Sequence, residues 1–360
     1  MNPSTKDRIF GLDLLRATAI LIVTIGHSNT LFPYSIGFTI RLPDGVDLFF
    51  VLSGFLIGSI LLKTIEEHKV INLRVTLHFL IRRWFRTLPN YFLFLLINVI
   101  LVYYSLIPGQ VNKFIITYFC FFQNFYKPYE FIYWESWSLA VEEWFYVLFP
   151  ILISLIFVIK KPTSNLIRKN IFFFSILIII IFPLIYRFTQ VSETLNTDLY
   201  FRKLVLTRLD TIGFGILAAY INFYYSNFWK KNKNILFIIG MTIMITLLIN
   251  KNQLSTFFNQ TIYFSISSLS ITLIIPKLSQ LKSGSVFSKP IKYLSKISYS
   301  MYLVNLPVFF ILNNSNLIQD FPLVRFLLYW IFVILISDLI FRFYESPIMH
   351  LREKINIKKP

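Results

Sequence analysis

Residues 10–28 read FGLDLLRATAILIVTIGHS, a run long and apolar enough to cross a bilayer that nevertheless carries Asp13, Arg16 and His27. A charged side chain at the bilayer centre costs about 2.5–3.5 kcal/mol on insertion scales, so a span that keeps such groups generally uses them. Arg16 and His27 are eleven residues apart. That is about three helical turns, so they share one helix face. At ~1.5 Å rise per residue they stand about 16 Å apart along the axis. One helix is therefore predicted to present a cation at one depth and an imidazole at another, on one line. The plainer reading is a snorkelling arginine and a packing histidine.

Composition sets the class. The chain has 360 residues, 56% hydrophobic, 18% aromatic and 14% charged. Soluble domains carry about 25% charged residues, so an all-α polytopic membrane protein is expected. Cys120 is the one cysteine, which excludes an intrachain disulfide and a cysteine metal cluster, and no metal is expected. A net charge of +18 would point to nucleic acid in a soluble protein. Here the basic residues sit in short loops between apolar runs, the positive-inside pattern, and nucleic-acid binding is set aside. Lys6 and Arg8 precede the first apolar run as in a signal peptide. The run holds Asp13 and Arg16 and no small-x-small cleavage site follows, so it reads as a retained span. Residues 1–350 read as one membrane-embedded unit and 351–360 as a short basic cytoplasmic tail.

Runs of about 17–25 mostly apolar residues mark the crossings. They lie at 10–28, 46–62, 88–107, 137–159, 170–187, 204–224, 234–250, 260–276, 294–313 and 322–342. A shorter apolar piece, 114–125, suits a re-entrant or interfacial segment. With ten crossings and a cytoplasmic N-terminus, 23 of the 35 Lys and Arg fall on the cytoplasmic side and seven outside. That bias predicts both termini inside. It puts Arg16 and the run Arg82, Arg83, Arg86 toward the cytoplasm, and His27, Asp47, Glu142, Glu143, Arg208 and Asp210 toward the outer face.

In IRRWFRTLPN, Arg82, Arg83 and Arg86 converge on roughly one face if the stretch is helical. Guanidinium forks match phosphate, so a phosphorylated cytosolic cofactor is one reading. An anchor on anionic lipid is the other. On the outer side, His27 can take a proton at neutral pH while a carboxylate holds its tautomer. Glu142 and Glu143 point about 100° apart, so one of them faces His27. Glu142 is preferred, because Leu139, Glu142, Tyr146 and Phe149 form one stripe. Asp47 is the other candidate, and an internal salt bridge with Arg208 or Arg16 is the alternative for both acids. Arg208 and Asp210 lie about 200° apart on a helix, so each needs a partner on another span. Gly54 and Gly58 have the small-xxx-small spacing of close helix packing. His68, His78 and His350 show no ligand spacing and read as surface residues.

Seven stretches together resemble the acyltransferase-3 family of integral membrane O-acyltransferases. They are GLDLLRATAILIVTIGHS, VDLFFVLSGFLIG, RRWFRTLP, WSLAVEEWFY, TRLDTIGFGILA, ISYSMYLVNLP and FYESPIMHLREK, in the family's order across nearly the whole chain. The resemblance implies an acyl-CoA donor, usually acetyl-CoA, on the cytoplasmic side of a bacterial inner membrane. The acceptor it implies is a hydroxyl on an envelope glycan or lipid-linked sugar. It makes Arg16 and His27 essential, with the Arg83-x-x-Arg86 motif and the glutamate of WSL-x-VEE needed for activity. On this reading Arg82, Arg83, Arg86 and Arg16 hold CoA. His27 is general base or acyl relay, with Glu142 or Asp47 orienting it. Glu143, Arg208, Asp210, Tyr302 and Asn305 are the candidates for holding the acceptor. Two departures stand out. Asn305 occupies a position where the family often has histidine, which removes a second titrating group. The soluble SGNH domain that some members append is not in this sequence. The competing class is a transporter or flippase using Arg16, His27 and Glu142 as a proton path, but no two matching halves with broken helices are visible.

Overall fold

The computed structural model describes residues 9–31, 42–69, 73–128, 132–284, 286–315 and 320–354, without the side chains of 68, 73–75 and 352–354. Expectations for Lys6, Arg8, Arg41, Lys358 and Lys359, and for the His68, Arg74, Arg352 and Lys354 side chains, lie outside the described residues.

Among the described residues every regular element is helical. The helices are α1 (Phe10–Ser28), α2 (Gly45–His68), α3 (Leu73–Tyr103), α4 (Ile116–Phe119), α5 (Ser136–Lys160), α6 (Asn165–Gln190) and α7 (Leu209–Tyr224). They continue as α8 (Ser226–Lys231), α9 (Lys233–Asn250), α10 (Thr256–Gln260), α11 (Tyr263–Leu278), α12 (Ser288–Asn314), α13 (Pro322–Ile340) and α14 (Ser346–Lys354). Eight of the helical stretches are long and apolar enough to cross a membrane, and α7 and α11 are shorter apolar helices of 16 residues each. The protein is an all-α, multi-pass membrane protein. Each of the ten segments expected to cross has most of its length on one helix.

Several boundaries differ from expectation, and four of the differences have a local reason. The third helix starts at Leu73 rather than 88, because the arginine-rich stretch continues it. Arginine is a good helix former, and Pro89 is accommodated inside the helix. The seventh begins at Leu209 rather than 204. Residues 205 and 206 donate instead to the carbonyls of Asn124 and Phe125, at 3.0 and 3.3 Å, after a π-helical turn over Asp198–Arg202. The piece at 114–125 forms only a 3-10 turn, Lys113–Ile115, and the one-turn α4. It docks through Asn124, whose amide donates to the carbonyls of Trp137 and Lys203 at 3.0 and 2.6 Å. At the far end, a π-helical turn at Phe341–Glu345 leads α13 into α14, so residues 351–354 of the expected tail are helical.

The centre of the bundle is α2, flanked by α1, α7 and α11, with α12 against α1. The closest approach is α2 on α7. A methyl added at Gly54 would stand 2.1 Å from the Ile212 carbonyl oxygen, and one at Gly215 would stand 2.1 Å from that of Val51. Glycine permits this contact because lipid gives helices no hydrophobic reason to associate, so close packing must. The periphery is α9 and α13, which turn Ile235, Ile238, Ile249, Leu327, Ile331 and Leu335 outward.

Candidate active site

Helix α1 places Arg16 and His27 in two different chambers. Arg16 lines a chamber of about 100 Å³ together with Arg83, Arg86, Glu142, Ser53 and Ser298. His27 lines a second, of about 590 Å³, together with Asp44, Trp134, Glu135, Trp137 and Arg202. Val46 and Tyr302 line both, so they form the partition. The Tyr302 hydroxyl is bonded to Ser138 Oγ at 2.6 Å and to the Glu135 carbonyl at 3.1 Å.

In the histidine chamber, His27 Nδ1 is hydrogen-bonded to Asn305 Oδ1. The Asn305 amide nitrogen donates to the carbonyls of Tyr302 and Met301, at 2.6 and 3.1 Å, so the amide oxygen must be the atom facing the ring. An amide oxygen only accepts, so Nδ1 carries the proton and Nε2 keeps its lone pair. That is the tautomer a general base needs. This corrects the expectation that Glu142 or Asp47 orients His27. Glu142 stands in the arginine chamber, on the other side of the partition.

In the arginine chamber, Arg16 Nη1 donates to Asp13 Oδ1 at 3.3 Å and to Ser295 Oγ at 3.2 Å, and Ser295 donates to Asp13 at 2.8 Å. Arg83 Nη2 donates to the Tyr146 hydroxyl at 2.5 Å and to Ser53 Oγ at 3.3 Å, with its guanidinium over the Tyr146 ring. Its Nε is buried and unpaired. The expectation of three converging guanidiniums is corrected in part. Arg83 and Arg86 line the chamber, whereas Arg82 turns outward and is exposed.

Four expected site residues bond across the bundle, away from both chambers. Asp47 on α2 is ion-paired with Arg208 and accepts from Ser267 of α11 at 3.1 Å. Asp210 pairs with Arg187 of α6 at 2.7 Å and accepts from Ser265 at 2.7 Å. Arg208 and Asp210 thus find partners on other elements, as their spacing required. Glu143 is buried and accepts from Trp84 Nε1 at 3.0 Å and Thr87 Oγ1 at 2.9 Å. None of the four lines either chamber. The structure therefore does not bring Asp47, Glu143, Arg208 or Asp210 to the chambers of Arg16 and His27, although Arg208 Nε and Nη1 and Asp210 Oδ1 stay buried without a partner. His350 is exposed, and His78 is half-buried.

A helical bundle with an arginine chamber and a histidine chamber on one helix can be compared with known proteins. The acyltransferase-3 family model, described as an acyltransferase domain, matches residues 9–342. The chain belongs to the acyltransferase-3 family. Similar proteins include the O-acetyltransferase OatA of Staphylococcus aureus strain NCTC 8325, 29% identical over 362 residues, covering 94% of this chain and 57% of that protein. OatA of strain COL is similar to the same extent, 29% identical with 94% and 57% covered. This chain therefore spans about half the length of the curated relatives it matches. No solved structure matches.

Beyond the family's motifs, this acyltransferase-3 member carries residues that the sequence reading passed over. Asp44 caps α2, accepting from Val46 N at 2.9 Å, and its other oxygen takes Arg202 Nε at 2.5 Å. Burial raises the Asp44 carboxyl, but the Arg202 charge and hydrogen bond outweigh it and hold it well below the usual range. Arg202 also pairs with Asp198 at 2.9 Å and lies over the Trp137 ring. Lys203 closes the cluster on Asp198 at 2.5 Å. The Asp-Gly before the second span was a visible capping signal; the pairing across 158 residues was not. Among the described residues no cluster of His, Cys, Asp or Glu is spaced to hold a metal ion.

Proposed function

We propose that the protein transfers an acyl group, most simply acetyl, from acyl-CoA on the cytoplasmic side to a hydroxyl of a cell-envelope glycan. The observation that carries this reading is the His27–Asn305 bond, which leaves a basic Nε2 in a chamber large enough for a sugar. The same helix carries Arg16 into a chamber lined by Arg83 and Arg86, whose forks suit the phosphates of CoA. The buried, unpaired Nε of Arg83 fits an anionic or hydrogen-bonding ligand there. The thioester arm runs from the arginine chamber past Val46 and Tyr302 to reach His27. Nε2 takes the proton of the acceptor hydroxyl, which attacks the acyl carbon directly. The names of the relatives, O-acetyltransferase OatA, support acetyl and oxygen as the group and the atom. The aromatic and charged lining of the histidine chamber (Trp134, Trp137, Asp44, Arg202) suits a sugar. We take residues 1–350 as one membrane unit of the bacterial inner membrane, with ten crossings and both termini cytoplasmic.

The test is turnover. The purified protein is given radiolabelled acetyl-CoA and an envelope-glycan extract, beside His27→Ala. General-base help is worth about 10²–10⁴-fold, so the variant should lose that much transfer while still binding CoA. Near-normal transfer by His27→Ala would overturn the role of His27. Neither transfer nor acetyl-CoA binding by wild type would overturn the function and return the polar residues to a proton path.

A further inference from the structure

The histidine chamber holds a titratable group that the reaction above does not use. Glu135 immediately precedes α5 and lines the chamber between Trp134 and Trp137. The residue is 3% exposed, and neither carboxyl oxygen has a hydrogen-bond partner. Buried polar atoms are almost always paired, so an unpaired carboxyl calls for a reason. Its backbone is held firmly. The Glu135 carbonyl accepts from the Tyr302 hydroxyl at 3.1 Å and from Ser138 Oγ at 3.3 Å. The main chain is fixed at the partition, while no other residue holds the carboxyl, which is buried at the chamber wall.

We propose that Glu135 is the acid of this site, its carboxyl O–H donating a hydrogen bond to the oxygen that becomes negative when the acceptor hydroxyl attacks the acyl carbonyl. The proposal rests on the acyl-transfer reading. Attack forms the new C–O bond and moves the carbonyl π pair onto oxygen. Glu135 keeps its proton and stabilises that charge, while His27 holds the proton of the acceptor. Collapse re-forms C=O, breaks the C–S bond and passes the proton from His27 to the departing thiolate. A donor brought to developing charge where water is shut out is worth far more than the same donor in water.

The role needs a neutral carboxyl. Burial pushes Glu135 from its ordinary 4.5 up to about 8. The groups that feel it are Tyr133 beside it, Tyr118 beneath the same loop and Tyr302 of α12, all neutral phenols at pH 7. The chamber's remaining titratable groups are His27, Asp44, Asp198, Arg202, Lys203 and Lys251. Asp44, Asp198, Arg202 and Lys203 satisfy one another in ion pairs, so none is spent on Glu135. A carboxylic acid kept neutral by its surroundings so that it can donate a hydrogen bond is an established way to stabilise an oxyanion.

The experiment is acetyl transfer against pH for wild type, Glu135→Gln and Glu135→Ala, each checked for monodispersity and melting temperature in detergent. Losing one oxyanion donor costs about 10²–10³-fold in turnover, the loss expected of Glu135→Ala. Glutamine keeps an N–H donor, so Glu135→Gln should stay within about tenfold of wild type. Wild type should lose activity above about pH 8, as the carboxyl ionises. Glu135→Gln, with no proton to lose, should not. If the glutamine variant keeps that alkaline fall, or if the alanine variant matches wild type in rate and profile, Glu135 is not the acid. Glutamine is near-isosteric, so its profile decides the question even if the alanine variant fails to fold. Absence of label with wild type overturns both this proposal and the acyl-transfer reading; a wild-type rate in the variants overturns this one alone.

Discussion

Asn305 does for His27 what a carboxylate was expected to do. An amide oxygen fixes the tautomer as firmly as a carboxylate, but it adds no charge to steady the imidazolium that forms on proton transfer. Asn305→Ala should therefore cost about tenfold in turnover, the worth of about 1–1.5 kcal/mol of hydrogen bond, with donor binding little changed. Steady-state kinetics that returned an unchanged turnover number would remove Asn305 from the site. His27 was legible as a functional residue because its imidazole stands near the end of an otherwise apolar span. Asn305 was legible as a departure from the family and as a candidate for holding the acceptor, but not as the partner of His27, since an uncharged amide in an apolar helix carries no sign of which ring it meets. Glu135 was passed over because Glu142 and Glu143 drew attention seven and eight residues later, and the loop before a span gives no periodicity to read.

Helices α2 and α7 approach so closely that side chains are excluded at Gly54 and Gly215. Gly54→Ala and Gly215→Ala each put a methyl against a backbone carbonyl, which no rotamer change relieves. Overpacking of this kind costs about 1–3 kcal/mol, and either variant should melt earlier in detergent than wild type. Gly26, with open space around it, is the control, and equal melting of all three variants would mean that the α2–α7 contact is not tight. The four-residue spacing of Gly54 and Gly58 announced a close helix contact. It did not announce the partner, because Gly215 lies about 160 residues away and the spacing rule concerns one surface at a time.

Buried ion pairs lock the bundle across its width. Arg187 reaches from α6 to Asp210 at the start of α7, to Ser265 on α11 at 2.6 Å and to the Thr261 carbonyl at 2.8 Å. Both members of the Arg187–Asp210 pair are fully buried. Removing one partner leaves the other charge stranded, at a cost of about 3–5 kcal/mol. Asp210→Asn should lower the melting temperature by several degrees, and a melting curve unchanged from wild type would show that the pair carries no such strain. The asymmetry between the chambers is also a property of the assembled bundle. Val46 from α2 and Tyr302 from α12 each line both chambers, and they divide one polar line on α1 into two compartments.

The order and type of the helices could be read from the chain, because each apolar run is long enough to form and bury its own backbone hydrogen bonds without help from the rest. The common face of Arg16 and His27 followed in the same way, since helical pitch is a local property. The partners of the charged residues could not be read. Asp47, Asp210, Glu142, Glu143 and Glu135 are all acids near the ends of apolar helices, and local sequence treats them alike. Which is paired, which shares a chamber with Arg16, Arg83 and Arg86, and which stands unpaired in the wall of the His27 chamber depends on contacts between helices far apart in the chain. Those contacts are set by side-chain shape and close approach, and they exist only once the bundle has closed.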